Sequence, residues 1–241
     1  MIKVLIGIPT SFHKEYCLKE FTNGLKKLTY PKKEILFVDN SKEDTYLKKI
    51  RSLGFNAIKG LYFDSPVQRI SASRNKIIEK AIKEDFDYIF FLDQDTIPPE
   101  DSIERFLKHN KKALCGICFS RRAFVAGKPI FTPNVYKVIL SDKELPDMKE
   151  LTHEEIFSNE LHEVVSCGGA CIFIHKDIFK KVRFKEDLKQ FEDRWFCIDL
   201  YKNKIPLFCD TSIKCKHLVL NRTHSWKEGQ LIEIKGETKS I

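Results

Sequence analysis

At 241 residues the chain is long enough for one large α/β domain or two small ones, and no Pro/Gly/Ser-rich linker, repeat or low-complexity tract divides it, so one domain is expected. Its net charge of +8, carried mostly by lysine, favours anionic partners such as nucleotides or acidic lipids, while lysines spread along helix faces instead of clustering with aromatics give no reason to expect a nucleic-acid partner. No apolar run approaches the roughly 18 residues of a membrane span, and no charged-then-apolar leader precedes the first strand, so a cytoplasmic protein is expected.

Lys3 to Ile8 reads as a buried strand ending at Pro9-Thr10-Ser11. An amphipathic helix follows over Glu15 to Leu28, with Leu18, Phe21, Leu25 and Leu28 at helical spacing and Tyr30-Pro31 as its stop. Glu34 to Val38 is a second strand, ending in Asp39-Asn40-Ser41. A helix then runs to about Leu53, capped by Gly54, and Asn56 to Leu61 is a third strand. This βαβαβ opening predicts a parallel sheet with right-handed crossovers. It carries neither Gly-x-Gly-x-x-Gly after the first strand, where Gly7 stands alone, nor a Gly-Lys-Ser/Thr phosphate loop, so a nucleotide has to be gripped mainly by side chains. Asp39, at a strand end, suits a base or ribose equally as well as the N-cap of the next helix.

Ile70 to Lys83 is a helix with Ile70, Ile77, Ile78, Ala81 and Ile82 as its apolar stripe and Ser73-Arg74-Asn75 in its first half. Arg74 projects near the carboxyl edge of the sheet, where its fork of donors suits phosphate; a surface ion pair is the other reading. Next comes the apolar run Tyr88-Ile89-Phe90-Phe91-Leu92, which stops abruptly at Asp93-Gln94-Asp95. A buried strand that ends in two carboxylates points to a ligand crevice, because such groups are costly when desolvated and unpaired. Two acids one residue apart can also share a divalent cation through oxygen ligands. A merely acidic solvated turn is the plain alternative.

A helix over Glu100 to His109 and a strand over Ala113 to Phe119 follow. From Ser120 to Glu163 the pattern loosens into an irregular, partly mobile insertion punctuated by Gly127-Lys128-Pro129 and Leu145-Pro146, with one strand at Val135 to Leu140; so long an irregular stretch suggests a lid or a binding loop. Glu163 to Ser166 and Cys171 to Ile174 read as strands flanking Gly168-Gly169, a bulge or a place of close ligand approach. Asp177 to Lys181 is a short helix. Phe191-Glu192-Asp193 opens a longer one to about Asn203, where an acidic pair also suits the helix dipole. Pro206 to Cys209 and Ile213 to Cys215 are short strands before His217, and a polar tail with Trp226 follows. The eight cysteines include Cys115-x-x-Cys118, but positions three apart on a strand face opposite ways, so reduced structural thiols are expected instead of a zinc knuckle.

In this order the motifs resemble the inverting nucleotide-sugar glycosyltransferases of the large family 2 type, over roughly Lys3 to Leu218. The resemblance implies an α/β, GT-A-like domain over 1–221, with a mostly parallel central sheet flanked by helices and a smaller C-terminal acceptor-side sheet. Its nucleotide-binding half spans about 1–119, its acceptor half about 120–221, and 222–241 is a tail. Pro9, Thr10 and Asp39 then sit where the nucleoside is held, and Arg74-Asn75 match the donor-side helix motif. Asp93 and Asp95 match Asp-x-Asp, which binds Mn²⁺ or Mg²⁺ and the ribose, with His217 completing the metal shell. Gly168-Gly169 match the loop beneath sugar and acceptor, and Glu192-Asp193 the acidic pair whose aspartate is the base. The lysine-rich Asp39-Asn40-Ser41-Lys42-Glu43-Asp44 departs from the family's Asp-Asp/Asn-Ser-Ser-x-Asp.

The implied partners are a nucleotide-diphosphate sugar donor and a glycan, lipid-linked or small-molecule acceptor; the positive charge suits peripheral contact with a membrane. Asp93-Gln94-Asp95 also resembles the nucleophile motif of haloacid-dehalogenase-type phosphatases, although Thr96 stands where glycine is customary and the motif follows three strands instead of the first. A non-catalytic nucleotide- or glycan-binding module is the third reading.

Overall fold

The computed structural model describes residues 1–125, 128–139, 146–187, 191–219 and 222–224. The expectations for Gly127, Leu140, Leu145 and the tail with Trp226 fall outside these residues.

Strands β1 (Val4–Thr10), β2 (Lys33–Asp39) and β3 (Asn56–Lys59) alternate with α1 (Leu18–Lys27) and α2 (Thr45–Ser52); the 3-10 turn Phe12–Cys17 precedes α1. Helix α3 (Pro66–Lys83) leads to β4 (Tyr88–Leu92), the two-residue β5 (Thr96–Ile97), α4 (Ser102–Lys108) and β6 (Ala113–Ile117). The following region, expected to be irregular, contains the hairpin β7 (Ser120–Val125) and β8 (Lys128–Thr132), then β9 (Val135–Val138), β10 (Met148–Glu150), α5 (His153–Phe157), β11 (Leu161–Val164) and β12 (Ser166–Cys167). Helix α5 opens on a capping box between Thr152 and Glu155, a Thr-x-x-Glu signal present in the sequence. Strand β13 (Cys171–His175), the 3-10 turn Lys176–Lys180, α6 (Glu192–Lys202), β14 (Leu207–Lys214), β15 (Lys216–Val219) and β16 (Arg222–His224) are the remaining elements among the described residues. The two short strands expected around Asp210-Thr211-Ser212 are a single strand, β14, whose pairing with β6 shifts register between Cys209 and Lys214.

The main sheet has the order β11-β14-β6-β13-β4-β1-β2-β3. It is parallel from β3 to β4; β13 then enters antiparallel between β4 and β6, β14 runs parallel to β6, and β11 closes the edge antiparallel. Side chains alternate between two cores: Leu5, Ile89 and Phe91 face one, Val4, Ile6, Phe90 and Leu92 the other. Cys115 and Cys118 fall in opposite cores, as period-two alternation requires. All eight cysteines are buried and free.

Three features of this frame position the site. The parallel strands β1, β2 and β4 deliver Thr10, Asp39 and Asp93 to one edge of the sheet, Thr10 pairing with Asp39. Strand β5, immediately after Asp93-Gln94-Asp95, pairs antiparallel with β15, setting Thr96 opposite His217. Helix α3, extended at its start by the Ser65 cap and Pro66, buries Ser71, Arg74, Ile77, Ile78 and Ala81. Ile82, expected in the stripe, is 48% exposed, because the buried face follows the phase 71-74-78-81 and includes the arginine.

Candidate active site

Asp93, Asp95, Gly168, Gly169, Asp193 and His217 line one cavity of about 270 Å³, together with Lys14. A second hollow of about 530 Å³, lined by Tyr136, Phe191 and Arg194 among others, shares Asp193 with it. A larger groove of about 1000 Å³ beside α6 and β14 contains none of the residues singled out in the sequence.

The turn after β4 is pinned by its middle residue. Gln94 is fully buried; its amide nitrogen donates to the Lys14 carbonyl at 2.7 Å, its oxygen accepts from Tyr46 Oη at 2.9 Å, and Thr10 Oγ1 donates to the same oxygen. Thr10 is thus tied into the floor of the site, and Pro9 is buried in the β1 strand beside it. With Gln94 held inward, Asp93 and Asp95, on either side of it in the turn, line the cavity. Asp95 is 4% exposed; its Oδ2 contacts Lys14 Nζ and lies 3.5 Å from His217 Nε2. Burial pushes the Asp95 carboxyl up, but the His217 and Lys14 contacts outweigh it and hold the group below the usual carboxylate range. Burial opposes the His217 charge, and the contacts with Asp95 and Cys118 nevertheless push its pKa up to about 11. The other ring nitrogen, Nδ1, donates to the Phe119 carbonyl at 2.7 Å, which leaves Nε2 facing the cavity.

Arg74 is neither a surface ion pair nor an open phosphate fork. It is 1% exposed and lies beneath the site, with Nη2 on Asp93 at 2.8 Å and Nε on Glu192 at 3.3 Å. Asn75, adjacent in sequence, points elsewhere, its amide exchanging hydrogen bonds with the Phe184 backbone at 2.7 and 3.1 Å. Asp39 is fully buried: Oδ1 accepts from the Ser41 backbone at 3.0 Å and from its hydroxyl at 2.5 Å, whereas Oδ2 has no hydrogen-bond partner and only the Lys59 ammonium 3.8 Å away. The N-cap position of α2 is Asp44, so the capping reading of Asp39 lapses. A buried carboxylate oxygen with an unused acceptor site costs about 1–3 kcal/mol unless something donates to it.

Gly169 lies over Arg74. A Cβ there would stand 2.5 Å from Arg74 Nη2, and the Gly169 N–H donates to Asp193 Oδ2 at 2.9 Å. Asp193 Oδ1 accepts from the Arg194 N–H at 2.7 Å. Burial raises the Asp193 pKa above the ordinary aspartate value despite these bonds, which brings it nearer to that of a useful base. Glu192 turns inward to Arg74; burial, together with repulsion from Asp193 and Asp93, takes its pKa up to about 7 although Arg74 pulls it down.

Among the described residues no group of three or more His, Cys, Asp or Glu side chains is placed to hold a metal ion. The residues at hand nonetheless suit Mg²⁺ or Mn²⁺, which commonly takes one or two carboxylates and completes its shell with substrate phosphates. Asp93, Asp95 and His217, whose Nε2 lies 3.5 Å from Asp95 Oδ2, line one cavity, and the Lys14 ammonium already rests on Asp95.

The sequence profile of "Glycosyl transferase family 2" matches residues 6–183. Among solved structures, A197 from STIV aligns with a TM-score of 0.54 at 17% identity, covering 94% of this chain and 92% of that one. S. aureus TarS 1-349 in complex with UDP-GlcNAc aligns at 0.53 and 18% identity, over 86% of this chain and 56% of TarS 1-349. Against the longer TarS chain the coverage of that chain is 35%. No curated protein sequence matches the chain. At these identities the structural likeness is one of fold, and it is the GT-A arrangement that the sequence implies.

Proposed function

Because the chain belongs to glycosyl transferase family 2, we propose that it transfers a sugar from a nucleoside-diphosphate donor to an acceptor hydroxyl with inversion, Asp193 taking the hydroxyl proton. The observation that carries this reading is the single cavity in which Asp93, Asp95 and His217 meet Asp193 across the Gly168-Gly169 floor. The nucleoside would sit at the β1/β2 edge, where Asp39 Oδ2, with no hydrogen-bond partner and only the Lys59 ammonium 3.8 Å away, could accept from a base N–H or a ribose hydroxyl. That TarS has been crystallised with UDP and with UDP-GlcNAc supports a nucleotide sugar as the donor class.

In the proposed displacement the acceptor oxygen forms its bond to the anomeric carbon as the bond to the diphosphate oxygen breaks. The acceptor proton passes to Asp193, and the electron pair leaves with the nucleoside diphosphate. Asp193 is set for this: both its oxygens are fixed by backbone N–H groups, and it borders the Tyr136–Phe191 hollow from which an acceptor would enter. Asp95, His217 and Asp93 would hold Mn²⁺ or Mg²⁺, which as a Lewis acid offsets the charge developing on the diphosphate. Arg74 holds Asp93 and Glu192 in place from below. The haloacid-dehalogenase and non-catalytic readings yield to family membership.

A thermal-shift panel of UDP-, GDP-, CDP- and dTDP-sugars, with and without Mn²⁺, tests the donor class. One base should stand out, adding about 2.7 kcal/mol of stability at a hundred times its dissociation constant, more readily with Mn²⁺. No shift from any of the four, with or without the ion, contradicts the reading.

A further inference from the structure

Lys14 was no candidate in the sequence, yet it lines the cavity beside Asp95. Its carbonyl is held by the Gln94 amide at 2.7 Å and approached by the Cys17 thiol at 3.2 Å, so its backbone is locked to the Asp93-Gln94-Asp95 turn. Its ammonium rests on Asp95 Oδ2, the oxygen that His217 Nε2 also faces. The Lys14 side chain is 37% exposed and that of Asp95 only 6%, so one partner can swing out and the other cannot. Arg74, the neighbouring cation, is buried and committed to Asp93 and Glu192. Among the described residues Lys14 is thus the more exposed of the two cations that line this cavity, the His217 side chain being 15% exposed.

On the reading that Asp95 is a ligand for a divalent ion, we propose that Lys14 is a tethered counter-ion which occupies the ion's place on Asp95 and must swing away before the ion can bind. A lysine is suited to the part: a compact charge on a flexible four-carbon stem neutralises the carboxylate but makes no bidentate clasp. Together with His217 it keeps the buried Asp95 paired when no ion is bound. It also lowers the affinity for the ion, since the ion has to displace one charge and then sit near it. Lys14 is thus a positioning residue that sets how tightly the site takes its cation.

The test is Mn²⁺ binding by electron paramagnetic resonance, with no nucleotide or acceptor present, to wild type, Lys14→Met, Lys14→Gln, Lys14→Arg, Asp95→Ala and the exposed-surface control Lys19→Met. Either neutral variant of Lys14 should bind Mn²⁺ at least about 10-fold more tightly than wild type. Lys14→Arg and Lys19→Met should not gain, and adding Asp95→Ala to Lys14→Met should erase the gain. Equal or weaker binding by both neutral variants, with Asp95→Ala still abolishing binding, overturns the role of Lys14 while the ion site stands. Absence of Mn²⁺ binding in wild type and in all Lys14 variants overturns both.

Discussion

Adjacent carboxylates at a helix start diverge, and at the head of α6 the divergence separates two kinds of chemistry. Glu192 points into the protein at Arg74; Asp193 points into the cleft and is clamped by the Gly169 and Arg194 amides. The surroundings of Glu192 have a consequence for stability. Unfolded, it takes its proton near pH 4.5; folded, burial and the neighbouring carboxylates move this to about 7. Between these values the folded state holds the extra proton, so the contribution of Glu192 to stability is full below pH 4.5 and is lost as the pH rises through 7. Glu192→Gln keeps an acceptor for Arg74 and removes the titration. From pH 5 to pH 7.5 the unfolding free energy of the variant, measured in urea, should gain on wild type by on the order of 1–3 kcal/mol. Parallel curves would show that Glu192 does not carry a raised pKa.

At the scale of elements, the site depends on the loop between β12 and β13 coming close to α3. Gly169 is the point of contact: a methyl group there would meet Arg74 Nη2 at 2.5 Å and Cζ at 3.0 Å. Arg74 cannot yield without leaving Asp93 or Glu192. Gly169→Ala should therefore destabilise the protein by about 1–3 kcal/mol, read as a lower denaturation midpoint at unchanged slope. An unchanged midpoint would mean that the loop has room to lift. The pair Gly168-Gly169 was visible in the sequence, but its reason was not: a double glycine reads equally as a bulge. The burial of Arg74 was within reach, since positions 71, 74, 78 and 81 share one helical face; an arginine in an apolar phase is easily set aside as a surface residue.

For the whole molecule, what could be read in advance depended on how local the cause is. The βαβαβ half announces itself through dry strands that end in polar residues, and so Asp39, Asp93 and Asp95 could be named from sequence. Gln94 could not, because a glutamine between two acids looks like a spacer until Thr10, Tyr46 and Lys14 are brought to it from other elements. The insertion of β13 between β4 and β6, and the pairing of β5 with β15 that sets His217 beside Asp95, are long-range facts without a local signature. The region from Ser120 to Glu163 looked irregular because its strands are short and punctuated by proline, although Thr152-x-x-Glu155 marked a helix start.

The central claim is that Asp193 takes the acceptor proton in a cleft whose donor grip does not depend on it. The measurement that tests this most directly is release of nucleoside diphosphate from the donor chosen by the thermal-shift panel, in wild type and Asp193→Asn, with donor affinity measured in parallel by calorimetry. Asparagine preserves size and, through its one amide oxygen, one of the two backbone N–H contacts, but cannot accept the proton. Turnover should fall by about 10²–10⁴-fold while the dissociation constant stays within about 2-fold. Near-normal turnover in Asp193→Asn would contradict the account.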